Sequence, residues 1–347
     1  MSAVAVQPHP DRAAVRAALL DWYDAHGRTL AWRSPPGAAP PDSYRVWLSE
    51  VMLQQTTTPH ATPYFERFTA RWPTVSDLAA AEDADVMAAW AGLGYYARAR
   101  NLLACARAVA ERHGGVFPDT EAELLALPGV GAYTAAAVAA IAFGRPANVV
   151  DGNVERVVSR LFAVETPLPA AKPELRRLAG TLVEEERPGD WAQALMDLGA
   201  TVCRPGRPLC KRCPLTAWCA GFQSGAPERY PLKLAKAARP HRTGVAWVLR
   251  DASGRVGLVQ RPDKGLLGGM LGLPTSDWSG AAATPHQAPE VTGWREAGAV
   301  EHVFTHFSLT LTVLEGRGEA ALIWTEPATA LKALPTVFRK ALERALA

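Results

Sequence analysis

Residues 124–144 read LLALPGVGAYTAAAVAAIAFG. A helical run ends at the tight turn Leu127-Pro128-Gly129-Val130-Gly131, and a second, alanine-rich helix begins directly after it. The two glycines let the backbone approach closely and turn its free N–H groups outward at a helix N-terminus, a site for a phosphate. The pattern is that of a helix-hairpin-helix. An ordinary turn between two helices, with no ligand, is the alternative that this stretch alone leaves open.

Outward from the hairpin the helical character continues. From Asp11 to Ala200, Ala, Leu, Val and Arg recur at helical spacing, with breaks at SPPGAAPPD (34–42), RWPT (71–74), HGGVFPD (113–119) and RPGD (187–190), so this part is expected to be all-α. SYRVWLSEVMLQQT (43–56) puts Tyr44, Trp47, Leu48 and Val51 on one core-facing stripe. Glu50 and Gln54, four residues apart, fall together beside that stripe. In VVDGNVERVVSRL (149–161), Asp151 opens a helix whose stripe is Val154, Val157, Val158 and Leu161. Plain N-capping is the commonest use of Asp in that place, and it does not conflict with a catalytic one.

Four of the five cysteines lie between 203 and 219, spaced Cys203-x6-Cys210-x2-Cys213-x5-Cys219, with Pro205, Pro208 and Pro214 among them. In a cytosolic chain such a set points to metal rather than disulfides. Four thiolates on a short irregular loop fit one zinc ion or one iron-sulfur cubane, and spacing alone does not choose between them. Arg204, Arg207, Lys211 and Arg212 lie in the same loop, where they either neutralise phosphates or stay solvated. Cys105, in an apolar helical stretch, is expected only to pack.

A chain of 347 residues suits two domains. After the cysteines, residues 224–240 are rich in Gly, Pro, Ala and basic side chains and are expected to be an exposed linker between domains 1–223 and 241–347. Beyond it come β-prone runs, GVAWVLR (244–250), RVGLVQR (255–261), VFTHFSLTLTVLEG (303–316) and ALIWT (321–325), and then a helical FRKALERAL (338–346). This second domain is expected to be α+β. No apolar run reaches membrane-spanning length and no secretory signal opens the chain, so the expected compartment is the cytoplasm. Net charge +3 is compatible with nucleic acid without arguing for it. Residues 1–223 hold 22 basic against 23 acidic side chains, so a DNA-binding face would have to be local.

SYRVWLSEVMLQQT, GLGYYARARNL (92–102), LPGVGAYTA (127–135), VVDGNVERVVSR (149–160) and ALMDLGATVC (194–203), followed by the four-cysteine loop, resemble the endonuclease III superfamily, and nearer still the MutY-type adenine DNA glycosylases. The resemblance runs in order from about residue 30 to about residue 220. GLLGGMLGLPT (265–275) and VFTHFSLTL resemble the MutY domain related to Nudix hydrolases, without the glutamate-rich signature that holds magnesium, so nucleotide hydrolysis is not implied.

The resemblance implies an all-α helix-hairpin-helix glycosylase domain with a [4Fe-4S] cluster on Cys203, Cys210, Cys213 and Cys219, and a smaller α+β Nudix-like domain. It implies a monomer acting on double-stranded DNA, at adenine opposite 8-oxoguanine or guanine, close to the nucleoid. Glu50 matches the acid that protonates the leaving adenine, and Asp151 the carboxylate that opposes the cationic sugar. Tyr133 and Asn153 match residues that orient the site. Gln54 and Tyr95 match residues that wedge into the base stack, and Leu127, Gly129, Val130 and Gly131 form the DNA-binding hairpin. Phe304, Thr305 and His306 match a Phe-Ser-His loop that reads 8-oxoguanine, with Thr in place of Ser. A bifunctional glycosylase/lyase would need a lysine where this chain has Tyr133, and no lysine precedes Lys172.

Overall fold

The computed structural model describes residues 11–234, 239–262, 265–278, 289, 291, 293–304 and 306–347. It divides into two compact units, Met1–Leu234 and Ala235–Ala347.

Among its described residues the first unit is built from helices α1 (Arg12–His26), α2 (Ser43–Met52), α3 (Thr58–Arg71), α4 (Val75–Ala79), α5 (Asp83–Trp90), α6 (Tyr96–His113), α7 (Glu121–Leu125), α8 (Ala132–Phe143), α9 (Gly152–Leu161), α10 (Lys172–Gly180), α11 (Pro188–Thr201) and α12 (Ala220–Gln223). Asp42 caps α2, its side chain accepting from Arg45 N. The expected stripe of Tyr44, Trp47, Leu48 and Val51 is buried, but so are Val46, Ser49, Glu50 and Met52. The helix is therefore enclosed on all sides rather than amphipathic. It also stops earlier than its sequence suggests. After Met52 the chain turns, Gln55 takes a left-handed φ of 58°, and Pro59 opens the next helix. Gln54 thus lies beyond α2, not one turn above Glu50 on the same helix.

Helix α8 is the centre of the unit, packing on α2, α7 and α11. Its alanines have little side chain to hold neighbouring backbones apart, and residues 134–141 are all buried. In the turn before it Gly129 has φ 71°, and a Cβ there would lie 2.6 Å from that of Asn101. Where α11 crosses α9, a Cβ on Gly199 would lie 2.6 Å from the Cβ of Asn153. That close approach brings α11 against the start of α9.

Residues 226–234, expected as part of an exposed linker, pack on the first unit instead. Tyr230 is buried. Its carbonyl accepts from Arg160 Nε at 3.0 Å, and its hydroxyl donates to Glu165 Oε1 at 2.6 Å. Residues 235–238 lie outside the described residues.

The second unit is a sheet of β1 (His241–Arg250), β2 (Val256–Gln260), β3 (Leu271–Gly272), β4 (Arg295–Val303), β5 (Ser308–Arg317) and β6 (Ile323–Thr325), in the order β3-β2-β1-β5-β4 with β6 paired to β2. Strands β1 and β5 run parallel, and the other pairs are antiparallel. Alternate residues Leu309, Leu311 and Val313 of β5 face a core shared with α13 (Pro327–Ala333) and α14 (Thr336–Leu346). VFTHFSLTLTVLEG, expected as one β run, is divided between the end of β4 at Val303 and the start of β5 at Ser308.

Candidate active site

Glu50 is only 7% exposed and lies on the wall of a cavity of about 510 Å³. Its Oε2 accepts a 2.7 Å hydrogen bond from the hydroxyl of Tyr133, in the first turn of α8, and the same hydroxyl lies 3.4 Å from Met196 Sδ. Burial pushes the Glu50 carboxyl above its usual range. The Tyr133 hydrogen bond and the charge of Arg33 pull the other way, while Asp151 adds to the rise. Burial, followed by Glu50 and Asp151, also holds the Tyr133 phenol well above its ordinary value, so Tyr133 remains a hydrogen-bond donor.

Asp151 lies on the same cavity as the N-cap of α9. Its Oδ1 accepts from the backbone N–H groups of Asn153 at 2.9 Å and Val154 at 2.7 Å, and its Oδ2 accepts from Asn153 Nδ2 at 2.9 Å. Capping and a place in the pocket therefore coexist. The Asn153 amide is fixed in turn, because its Oδ1 accepts from Arg156 Nη2 at 2.8 Å. Arg156 also donates to Gly199 O and, through Nε, to Cys203 O at 2.7 Å. Asp151 is thus joined through Asn153 and Arg156 to the first residue of the cysteine loop.

Sequence reasoning missed Arg28, Arg33 and Asp197. Asp197 is fully buried on α11 and accepts from Arg28 N, Arg28 Nε at 2.6 Å and Arg33 Nη1 at 2.8 Å. Both arginines line the cavity. The available signal was Asp197 itself, a lone carboxylate at a core position of the apolar run ALMDLGA, which is rare without a cation. Nothing local marks Arg28 or Arg33, whose partner is more than 160 positions away.

Gln54 lines the same cavity from the turn after α2. Tyr95 does not. It is 60% exposed, immediately before α6, in the left-handed conformation with φ 51°. In the hairpin the side chains of Leu127 and Val130 are buried in the core, while Gly129 and Gly131 are exposed. In the second unit Phe304 leans on Trp278, with ring centroids 5.7 Å apart and nearly parallel, and His306 is exposed. Thr305 lies outside the described residues.

Cys203, Cys210, Cys213 and Cys219 are free and partly buried. Burial, with smaller contributions from the other three thiols and against the Leu215 backbone N–H, holds the Cys213 thiol at about 12. Burial and neighbouring thiols likewise raise Cys210 and Cys219. The four sulfurs therefore crowd one region, with Arg160 Nη1 3.2 Å from Cys203 Sγ. Among the described residues, no group of three or more His, Cys, Asp or Glu side chains is placed to hold a single metal ion. Cys105 is buried in α6, as its apolar surroundings suggest.

A family model described as HhH-GPD superfamily base excision DNA repair protein matches residues 48–184, and one described as NUDIX domain matches residues 245–344. The chain is 37% identical over 370 residues to an adenine DNA glycosylase of Homo sapiens, covering 88% of this chain and 68% of that protein. It is 41% identical over 238 residues to the adenine DNA glycosylase of Mycolicibacterium smegmatis, covering 68% of this chain and 80% of that one. The chain belongs to the adenine DNA glycosylase family. Among solved structures, that of a thermostable thymine-DNA glycosylase matches with a TM-score of 0.55 at 30% identity, covering 61% of this chain and 97% of that one.

Adenine DNA glycosylases hydrolyse the N-glycosidic bond of a base in base excision repair. For such a glycosylase a buried, protonated carboxyl carries a stability cost that depends on pH. The folded state raises the Glu50 pKa, so above the ordinary value of 4.5 the folded protein binds more protons than the unfolded chain, and stability falls as pH rises through the raised value. Glu50→Gln keeps the acceptor for Tyr133 without the charge. It is expected to raise Tm, by a margin that grows in thermal melts as pH rises above 4.5 and levels off once the raised value is passed. A margin that shrinks with pH would contradict the assigned direction.

Proposed function

We propose that this adenine DNA glycosylase is monofunctional and removes adenine paired with 8-oxoguanine, or with guanine, from duplex DNA. The observation that carries the reading is the convergence of Glu50, held by Tyr133, and Asp151, held by Asn153 and the start of α9, on one cavity large enough for a flipped base. Tyr133 occupies Glu50 Oε2, so the proton for the leaving adenine sits on Oε1. Neutral adenine leaves, and the negative charge of Asp151 opposes the cation developing on the sugar while water completes the hydrolysis. Monofunctional chemistry is supported by Tyr133 in the place of a Schiff-base lysine and by the absence of lysine from residues 1–171.

The thiols of Cys203, Cys210, Cys213 and Cys219 fit a [4Fe-4S] cluster. The donor set is all sulfur, which suits soft metals, and a cubane takes its thiolates from farther apart than a single ion does. A bound cluster would supply the positive charge that turns these raised thiols into thiolates and would brace the loop. Arg204, Arg207, Lys211 and Arg212 are exposed there, and among the described residues none of them is in an ion pair, which leaves them for phosphates. Four neighbouring free thiols suit a reducing compartment, and we place the protein in the cytoplasm as a monomer on DNA.

In the second unit, the turn that carries Phe304, Thr305 and His306 is the reader of the opposite base. Support comes from the exposed imidazole of His306 beside Phe304, whose ring is braced by Trp278 and Phe307.

Excision assays on duplexes with adenine opposite 8-oxoguanine, adenine opposite guanine, and thymine opposite guanine should give product from the first two, with strand breaks appearing only after alkali. Glu50→Gln should bind the 8-oxoguanine duplex and lose excision by at least about a hundredfold. Strand cleavage without alkali, or near-normal single-turnover excision by Glu50→Gln, would overturn the assignment. Purified protein should contain about four irons per chain, and colourless protein with stoichiometric zinc would refute the cluster. His306→Ala is expected to lower the preference for 8-oxoguanine over guanine by roughly tenfold or more while leaving excision opposite guanine in place. An unchanged preference would move readout elsewhere.

A further inference from the structure

The turn that presents Tyr95 is unusual for the residue it carries. Gly92, Gly94 and Tyr95 all have positive φ, at 105°, 70° and 51°. Glycine adopts that conformation freely, but an aromatic side chain does so only where its surroundings hold it. The Tyr95 ring is nevertheless exposed, so packing against its face is not what holds it. What does lies one turn into α6. Arg98 Nη2 donates to Leu93 O at 3.0 Å and Gly94 O at 3.3 Å, while its Nη1 donates to Val51 O at 2.9 Å and Met52 O at 3.2 Å. Trp90 Nε1 donates to the same Gly94 carbonyl at 3.0 Å, and the Arg98 guanidinium lies 5.2 Å from the Trp90 ring and 5.7 Å from that of Tyr95. Val51 and Met52 are in the last turn of α2, whose carbonyls have no partner within the helix and favour a cation.

We propose that Arg98 is a positioning residue, mounting the Tyr95 turn on the C-terminal end of the helix that carries Glu50, so that Tyr95 enters the base stack braced against the catalytic helix. The proposal rests on the glycosylase reading above, in which Tyr95 is the wedge. Only a planar guanidinium spans two pairs of carbonyls in this way, since an ammonium is a point donor. The clamp has a further contact in reach. Among the described residues, Arg98 Nε and Trp47 Nε1 are buried without a partner, and both side chains border a cavity of about 30 Å³, beside Asn101, Pro128 and Gly129. That space suits one water accepting from both donors, which would extend the clamp to the hairpin. A wedge on a loose turn would yield to the stacked bases. A wedge fastened to α2 transfers the strain to the enclosed centre of the domain.

The test uses the full chain with Arg98→Lys, Tyr95→Ala and the double variant, with iron content and Tm recorded for each. Arg98→Gln replaces the lysine variant if that one fails to fold. Two quantities are read: unstacking of 2-aminopurine next to the target site, and single-turnover excision of adenine from a matched duplex context and from a bubble in which the adenine is already unpaired. Arg98→Lys is expected to slow duplex excision, and weaken unstacking, by at least about tenfold more than it slows excision from the bubble. Its effect on the duplex should largely vanish in the Tyr95→Ala background, because both residues act through one wedge. Equal losses on duplex and bubble, or additive losses in the double variant, would show that Arg98 only supports the fold and would overturn the proposal. If wild type unstacks 2-aminopurine but excises nothing, the glycosylase reading fails, and the fluorescence cycle still decides whether Arg98 acts through Tyr95.

Discussion

Glu50 sits on a helix enclosed on every side, and the catalytic unit is organised around the consequence that its carboxyl prefers to keep its proton. Asp151, on the same cavity, strengthens that preference. Tyr133 donates to one carboxyl oxygen and favours the anion, as does the charge of Arg33, but neither outweighs the loss of water. Asp197 bears on the balance from a distance. It is buried against Arg28 and Arg33 and pairs with both, so the Arg33 charge beside the acid has a partner of its own. Removing Asp197 would leave Arg33 uncompensated beside the acid, a buried charge whose partner is gone.

The second carboxylate is treated in the opposite way. Asp151 receives three N–H donors at a helix N-terminus, surroundings that suit a negative charge. The same cavity therefore holds one carboxyl stripped of donors other than a phenol and one supplied with them, an arrangement that suits the division into acid and electrostatic roles proposed above. Asp151's orientation is tied to the cysteine loop, since Arg156 fixes the Asn153 amide and at once holds the carbonyl of Cys203. Arg160 adds the carbonyls of Cys203 and Arg204 and that of Tyr230. The cysteine loop, the start of α9 and the segment leading out of the unit are thus laced together by two arginines of α9.

The second unit follows a simpler rule. Alternate residues of β5 face α14, and the strand pairing leaves the turn at 304–307 at the end of a β4-β5 hairpin. Glu315, at the last inward position of β5, is paired with Arg250 and Arg295 rather than buried alone. The sheet fixes where the turn is, and Trp278 fixes the direction of Phe304.

Local patterns determined much of this protein. The Leu127–Gly131 turn, the helical period to Ala200, the four clustered cysteines and the change to β-prone runs after residue 240 each rest on interactions within a few positions, which a sequence displays directly. Glu50 and Asp151 were singled out by the resemblance of their motifs to a known family, their local patterns giving only a buried helix and a helix start. Tertiary structure decided the rest. α2 looked amphipathic because a stripe is the least that burial requires, and only the approach of α8 covers the opposite side. Residues 226–234 looked like a linker because Pro, Arg and Lys are usually exposed, whereas Arg160 and Glu165, some 65 to 70 positions away, hold Tyr230 down. Asp197 showed itself as a lone carboxylate in an apolar run, but Arg33, Arg156 and Arg98 carried no local mark. Each acts by hydrogen bonds or charge on groups brought near only by packing, and a guanidinium that reaches a distant carbonyl reads in the sequence as one more arginine on a helix.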